Sequence, residues 1–175
     1  MSMSFFKVLP FLFGIACIDN IDKAGKRDVS TGSDSPTQGN WQFTGEASWS
    51  VDTCNMAEQM DFDSADPMVL SLTDSGFTID EALDCTMSGS DFTCTGDDLN
   101  VSSDMSENGM DAILDMNQQI SGRFDNSTSM LFVASLAYVC EGPDCDALNQ
   151  MMEELVFPCE SLWSINLEYV GETDD

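Results

Sequence analysis

Residues Ala82 to Thr95 read ALDCTMSGSDFTCT and place two cysteines symmetrically about Gly89-Ser90. No other feature of the chain constrains its fold so tightly. Glycine at the first position suits a two-residue hairpin turn of type II′. With Gly89-Ser90 in that turn, residues whose numbers sum to 179 face each other across two antiparallel strands. Counting outward, Ser88 with Asp91 is a hydrogen-bonded pair, Met87 with Phe92 is not, Thr86 with Thr93 is, and Cys85 with Cys94 is not. Pairs of the second kind bring α-carbons to about 4.5 Å, a separation that a disulfide accepts. The spacing therefore predicts a Cys85–Cys94 bridge in a β-hairpin.

The remaining segments read as more strands. Trp41 and Phe43 alternate as a strand with one buried face does, and Asn55 to Met60 holds a turn of helix. Met68 to Thr73 and Phe77 to Ile79 form a hairpin about Asp74-Ser75-Gly76. Asp97 to Asp111 is an acidic loop with a short strand at Leu99 to Ser102. Ile113 to Phe124 and Ser129 to Cys140 flank a polar turn at Asp125 to Thr128, and the nearly continuous apolar run Met130 to Val139 is the expected central strand. From Cys145 to Leu155 the period changes: Leu148, Met151, Met152 and Leu155 form one helical stripe, with Pro143 and Asp144 before it and Pro158 after it. The last strand, Ser161 to Val170, sets Trp163, Ile165, Leu167 and Tyr169 against Ser164, Asn166 and Glu168. The expected fold class is mainly β: an antiparallel meander of about eight strands, barrel or sandwich, with one late α-helix.

The N-terminal stretch explains the cysteines. Lys7 precedes an apolar run, Val8 to Ala16, of the length of a secretory leader. It is about half the roughly 20 residues of a membrane span. Gly14-Ile15-Ala16-Cys17 resembles a bacterial lipobox, which implies cleavage before Cys17 and acylation of that cysteine. Small residues at Gly14 and Ala16 equally suit ordinary signal peptidase, which leaves Cys17 unmodified. Of the seven cysteines, lipidation of Cys17 leaves an even set of six: Cys54, Cys85, Cys94, Cys140, Cys145 and Cys159. In an oxidising compartment that set makes three bridges. Cys140 and Cys145 bracket a small loop, which leaves Cys54 for Cys159, although swapped pairings among these four stay open. The expected organisation is a signal peptide at 1–16, a lipid-anchored flexible tether at 17–40, a disulfide-stapled domain at 41–171 and an acidic tail at 172–175.

Charge and composition narrow the chemistry. The formal net charge is −27, with 32 acidic and 5 basic residues. Such a surface repels nucleic acid and anionic lipid headgroups, which bind Lys/Arg-rich faces. The chain has no histidine, which removes Ser-His-Asp and Cys-His catalysis and His-ligated metals. Asp74-Ser75-Gly76 occurs once, whereas aspartic protease chemistry needs two carboxylates sharing a proton. Asp104, Ser106, Asn108 and Asp115 occupy positions one, three, five and twelve of an EF-hand-like run, with Gly109 at six. They are the candidate calcium ligands, set against an ordinary acidic loop. Met105, Met110 and Met116 are assigned to packing rather than to soft-metal capture.

The order of a Gly39-Asn40-Trp41 opening, antiparallel strands, a late helix and a closing strand resembles a lipocalin-like calycin barrel. The resemblance implies a role for Arg123 packed on Trp41 and a cavity for a small apolar ligand. The leading functional expectation is a non-enzymatic envelope lipoprotein, a structural or interaction module held on the membrane by lipid. A small-ligand binder is the alternative, and a carboxylate-only exported hydrolase is third. No cofactor beyond weak calcium is expected. Ile18 after the modified cysteine, in place of aspartate, points to the outer membrane, and an unlipidated chain would be periplasmic or secreted.

Overall fold

The computed structural model of the chain describes residues 35–152 and 155–172. The leader, Cys17, most of the tether and the end of the acidic tail therefore lie outside the described residues. The strands are β1 (Gly39–Asp52), β2 (Met68–Leu72), β3 (Gly76–Ile79), β4 (Leu83–Ser88), β5 (Asp91–Thr95), β6 (Asn100–Asp104), β7 (Ile113–Asn126), β8 (Ser129–Glu141) and β9 (Cys159–Gly171), with helix α1 (Cys145–Met151) before β9. Consecutive strands pair antiparallel except β5 with β6, and β9 returns to pair with β1. β5 and β6 lie end to end along β7, at Ile120–Arg123 and at Ile113–Asn117 respectively. Counted together they make a closed eight-stranded antiparallel barrel, an arrangement consistent with a calycin-like fold. Closure leaves no open sheet edge where the ladders meet, and it decides between the barrel and the sandwich.

Alternation puts the core inside. Along β8, Met130, Phe132, Ala134, Leu136 and Tyr138 are buried, while Leu131 and Val139 face outward and are each 38% exposed. The apolar run is thus one buried face plus an outward face that also carries Leu131, Val133, Ala137 and Val139. β8 lies between β7 and β9, but in a closed barrel every strand has two neighbours, so the apolar run does not mark a central strand. On β9, Trp163, Ile165 and Leu167 point inward, and Asn166 and Glu168 outward. The polarity, apolar inside and mostly polar outside, is the reverse of that of a water-filled membrane barrel.

Aromatic side chains from opposite walls meet in the middle. Phe124 on β7 contacts Trp41 on β1, Phe77 on β3 and Phe92 on β5, with ring centroids 5.8, 5.5 and 5.3 Å apart. Trp41 is fully buried and its indole Nε1 donates to the Thr37 carbonyl at 3.0 Å. Edge-to-face pairs of this kind add about 0.5–1.5 kcal/mol each beyond area burial. Phe43 then packs against Phe132, and Trp49 stacks on Trp163 at 5.2 Å. Side chains fill the barrel as a core rather than line a lumen.

The hairpin register agrees with the expected one residue for residue, from Ser88 opposite Asp91 to Cys85 opposite Cys94. The bridges are Cys85–Cys94, Cys140–Cys145 and Cys54–Cys159. The helix is shorter than its stripe implied. It ends at Met151, and Met151 is 69% exposed rather than packed. The Phe157 amide donates to Asn149 Oδ1 at 2.7 Å, so the following chain folds back along the helix. Leu148 supplies the buried contact, and Met152 and Leu155 pack from beyond the helix end.

The bridges differ in what they constrain. Cys54–Cys159 joins positions 105 residues apart, whereas Cys140–Cys145 spans a separation of 5. Paired Cys→Ala substitution at Cys54 and Cys159 is expected to lower the free energy of urea unfolding by up to about 4–5 kcal/mol, and at Cys140 and Cys145 by about 2. Equal losses at the two bridges would contradict this ordering.

Candidate functional site: a groove along the barrel seam

β1 is the strand that positions the site, because it leaves its partner early. β2 pairs with it only at Gly39, Asn40 and Trp41. Past Trp41, among the described residues, only β9 hydrogen-bonds to β1 as a strand. Between Thr44 and Ser48 β1 advances four residues while β9 advances two. This bulge bends the strand, and Gly45 at φ +73° supplies the left-handed turn it needs. The segment 53–67 runs back beside the freed edge to reach β2.

That segment is anchored at both ends. At the first, Asp52 Oδ1 accepts from the Met56 amide at 2.8 Å and from the buried Ser161 hydroxyl at 2.6 Å, while Oδ2 accepts from the Ala57 amide at 2.9 Å. These bonds hold the 3₁₀ turn Met56–Glu58 against β9. Thr53 and Glu160 exchange backbone and hydroxyl hydrogen bonds, and Cys54 is bridged to Cys159 next door. At the second, Gln42 Nε2 donates to the Ala65 carbonyl at 3.0 Å, and Phe62 packs edge-on to Phe43.

Between these anchors a groove of about 410 Å³ remains open. Gly45, Glu46, Ala47 and Trp49 of β1 form one side. Ala57, Met60, Asp61, Phe62 and Asp63 form the other. Trp49 is half-buried, and behind it lies the buried indole of Trp163. Its lining thus mixes the side chains of Ala47, Trp49, Ala57, Met60 and Phe62 with the three carboxylates Glu46, Asp61 and Asp63. Sequence reasoning found the turn after Asn55 but not the groove, since nothing local marks where β2 parts from β1.

The expected site residues fall elsewhere. Asp104 caps the 3₁₀ turn Met105–Asn108, accepting from the Ser106 amide at 2.8 Å. Hydrogen bonds from that amide and from the Ser106 hydroxyl hold its carboxyl below the usual carboxylate range. Asn108 ends the turn, but Asp115 stands in β7 opposite Ser102 and Val139. Inward Leu114 and Met116 draw that segment into the ladder, so the twelve-residue run is a turn followed by a strand rather than one calcium loop. Among the described residues, no group of three or more Cys, Asp or Glu is arranged to hold a metal ion. Met110 is buried, and Met105 and Met116 pack against the core. Arg123 does not cover Trp41. It points outward from β7 and its Nε bonds Asp91 Oδ1 at 2.6 Å, which raises its pKa further. Phe124 and Tyr169 pack on Trp41 instead. Burial likewise raises the Tyr138 hydroxyl above its ordinary value.

Comparison with protein-family models, with curated proteins and with solved structures returned no match.

Among the described residues, two polar groups inside the barrel have no hydrogen-bond partner: the side-chain amide of Gln118, 4% exposed on β7, at both its atoms, and Trp163 Nε1. A buried amide left unpaired costs about 1–3 kcal/mol. Gln118→Met, close in volume, is expected to raise the urea-unfolding free energy by about 1 kcal/mol or more. A clear loss of stability would mean that the amide is paired in solution.

Proposed function

We propose that the protein is an exported, non-enzymatic interaction module, held at the cell envelope by lipid on Cys17. The observation that carries this reading is the filled barrel. Phe124 touches rings from three other walls, so recognition falls to the outer surface rather than to a lumen. An apolar ligand inside would have to displace Trp41, Phe77 or Phe132, each at most 2% exposed. The calycin-like layout is thus used as a rigid support, and the lipocalin-like ligand binder is the weaker alternative.

Three disulfides support an oxidising compartment outside the cytoplasm. They use six of the seven cysteines and leave Cys17 as the odd one, in keeping with its place in the lipobox-like sequence. Two or three acyl chains at one residue hold a protein stably on a membrane. Ile18 favours the outer membrane. The acidic surface keeps the module off anionic headgroups, so the anchor is the membrane contact and the domain stands clear of it. Catalysis by carboxylates alone has no support in the geometry of the described residues.

Intact mass of protein purified from its native membrane tests this reading. The expected result is a chain starting at Cys17 with a diacylglyceryl-plus-acyl increment and six thiols that become alkylatable only after reduction. A chain without lipid would sink the anchor. A stoichiometric apolar molecule released from the full chain carrying Cys17→Ser would turn the reading toward the ligand binder.

A further inference from the structure

We infer that the outer face of β7, β8 and β9 is a self-association surface, and that its partner is a second copy of this chain lying antiparallel across it. The inference rests on the interaction-module reading and names that module's partner. The outward positions of β8 are Leu131, Val133, Ser135, Ala137 and Val139, and Leu131 and Val139 are each 38% exposed. On β7, Ser121, Gln119 and Asn117 stand beside Val133, Ser135 and Ala137. On β9, Ser164 and Leu162 stand beside Val133 and Ser135. No carboxylate interrupts this block, although the chain has 32 acidic residues. The first ones come at its margin, Asp115 next to Val139 and Glu160 next to Ala137.

Charge and symmetry select the occupant. Two chains of net charge −27 repel each other, so they can touch only where carboxylates are missing. A basic partner would find nothing here to pair with and would be drawn to the acidic surface around it. The face is also complementary to itself. Gln119, Ser135 and Leu162 form one row across the three strands. A two-fold axis along that row lays each strand antiparallel on its own copy, which makes the contact isologous. Leu131 then meets Val139 of the second copy, Val133 meets Ala137, and Leu162 meets itself. On β7 the same axis sets Arg123 against Asp115, because the two are equally far from Gln119 along the strand. Arg123 is the only Lys or Arg among the described residues. Its Nε donates to Asp91, and its side chain is 61% exposed with no further acceptor among the described residues. Within one chain Asp115 stands about 27 Å away along β7, so only a second copy can bring it to the guanidinium. The dimer makes that ion pair twice.

From Asp115 to Arg123 across three strands the face measures roughly 400 Å² per copy, the size of a weak and reversible contact. Copies anchored on one membrane would meet at a raised effective concentration.

The test is sedimentation equilibrium of the full chain carrying Cys17→Ser, from about 10 µM to about 1 mM at physiological ionic strength. A reversible monomer–dimer equilibrium is expected. Ser135→Glu, which sets two carboxylates against each other on the axis, should weaken it about tenfold or more. Arg123→Asp and Asp115→Arg, each measured alone, should weaken it similarly, since each turns both ion pairs into like charges. Mixed in equal amounts, those two variants restore opposite charges at both contacts, and the mixture should dimerise at least as well as the parent. All three positions face outward, so each variant should unfold in urea like the parent. A chain that stays monomeric at about 1 mM, a dimer indifferent to Ser135→Glu, or a mixture that stays monomeric would overturn the inference. A monomer with lipid on Cys17 would sink this surface and leave the envelope reading standing. A dimer without lipid would do the reverse.

Discussion

Everything in this structure depends on the pairing of the last strand with the first. A meander of antiparallel strands is a sheet with two exposed edges until its ends meet. Here they meet over most of β1, from Asn40 opposite Gly171 to Asp52 opposite Ser161. The contact joins residues more than a hundred positions apart, and its loop-closure entropy is large. The protein concentrates fixed interactions at the far end of it: Asp52 with Ser161, Thr53 with Glu160 and Cys54 with Cys159. The aromatic core then has walls on every side. Without that closure, Trp41, Phe77 and Phe124 would have no common interior to share.

The other edge of β1 creates the groove. β9 follows β1 from Asn40 to Asp52, but β2, only five residues long, meets the opposite edge at Gly39 to Trp41 alone, so that edge has no strand partner beyond Trp41. The difference in strand length leaves a stretch of wall with no strand to fill it, and the segment 53–67 spans that stretch with side-chain and capping contacts. Backbone ladders leave little room between strands spaced about 4.8 Å apart. A bridging loop does leave room, and here Trp49 lines it. A packed barrel that recognises something is expected to do so on its outside rather than in its centre.

Much of the fold could be read from the residues, and the reason differs by element. The Cys85–Cys94 hairpin was legible because a two-residue turn leaves a single register, and β9 because alternation with period two survives wherever one face is wet. Cys54–Cys159 followed only by elimination, since no local pattern links residues so far apart. The helix was overextended because periodicity counted Met151 as buried, whereas the fold-back through Phe157 and Asn149 ended the helix first. Asp104 to Asp115 matched a calcium loop by residue type alone, but Leu114 and Met116 belong to the period of a strand and pulled Asp115 away. Arg123 was placed over Trp41 by resemblance of layout, and its outward register on β7 sends it to Asp91. The groove was not legible at all: it arises from two strands parting, a tertiary event that leaves Trp49 looking like any core residue.

Backbone amide hydrogen exchange along β1, read residue by residue, tests the account most directly. Between Gln42 and Asp52, amides that donate to β9 should be protected to near the limit set by global unfolding. Those turned toward the segment 53–67 should exchange far faster, since no ladder holds them. Strong protection on both edges would mean that the seam is zipped shut and the groove does not exist in solution. Fast exchange on both would mean that the barrel is not closed by its first and last strands.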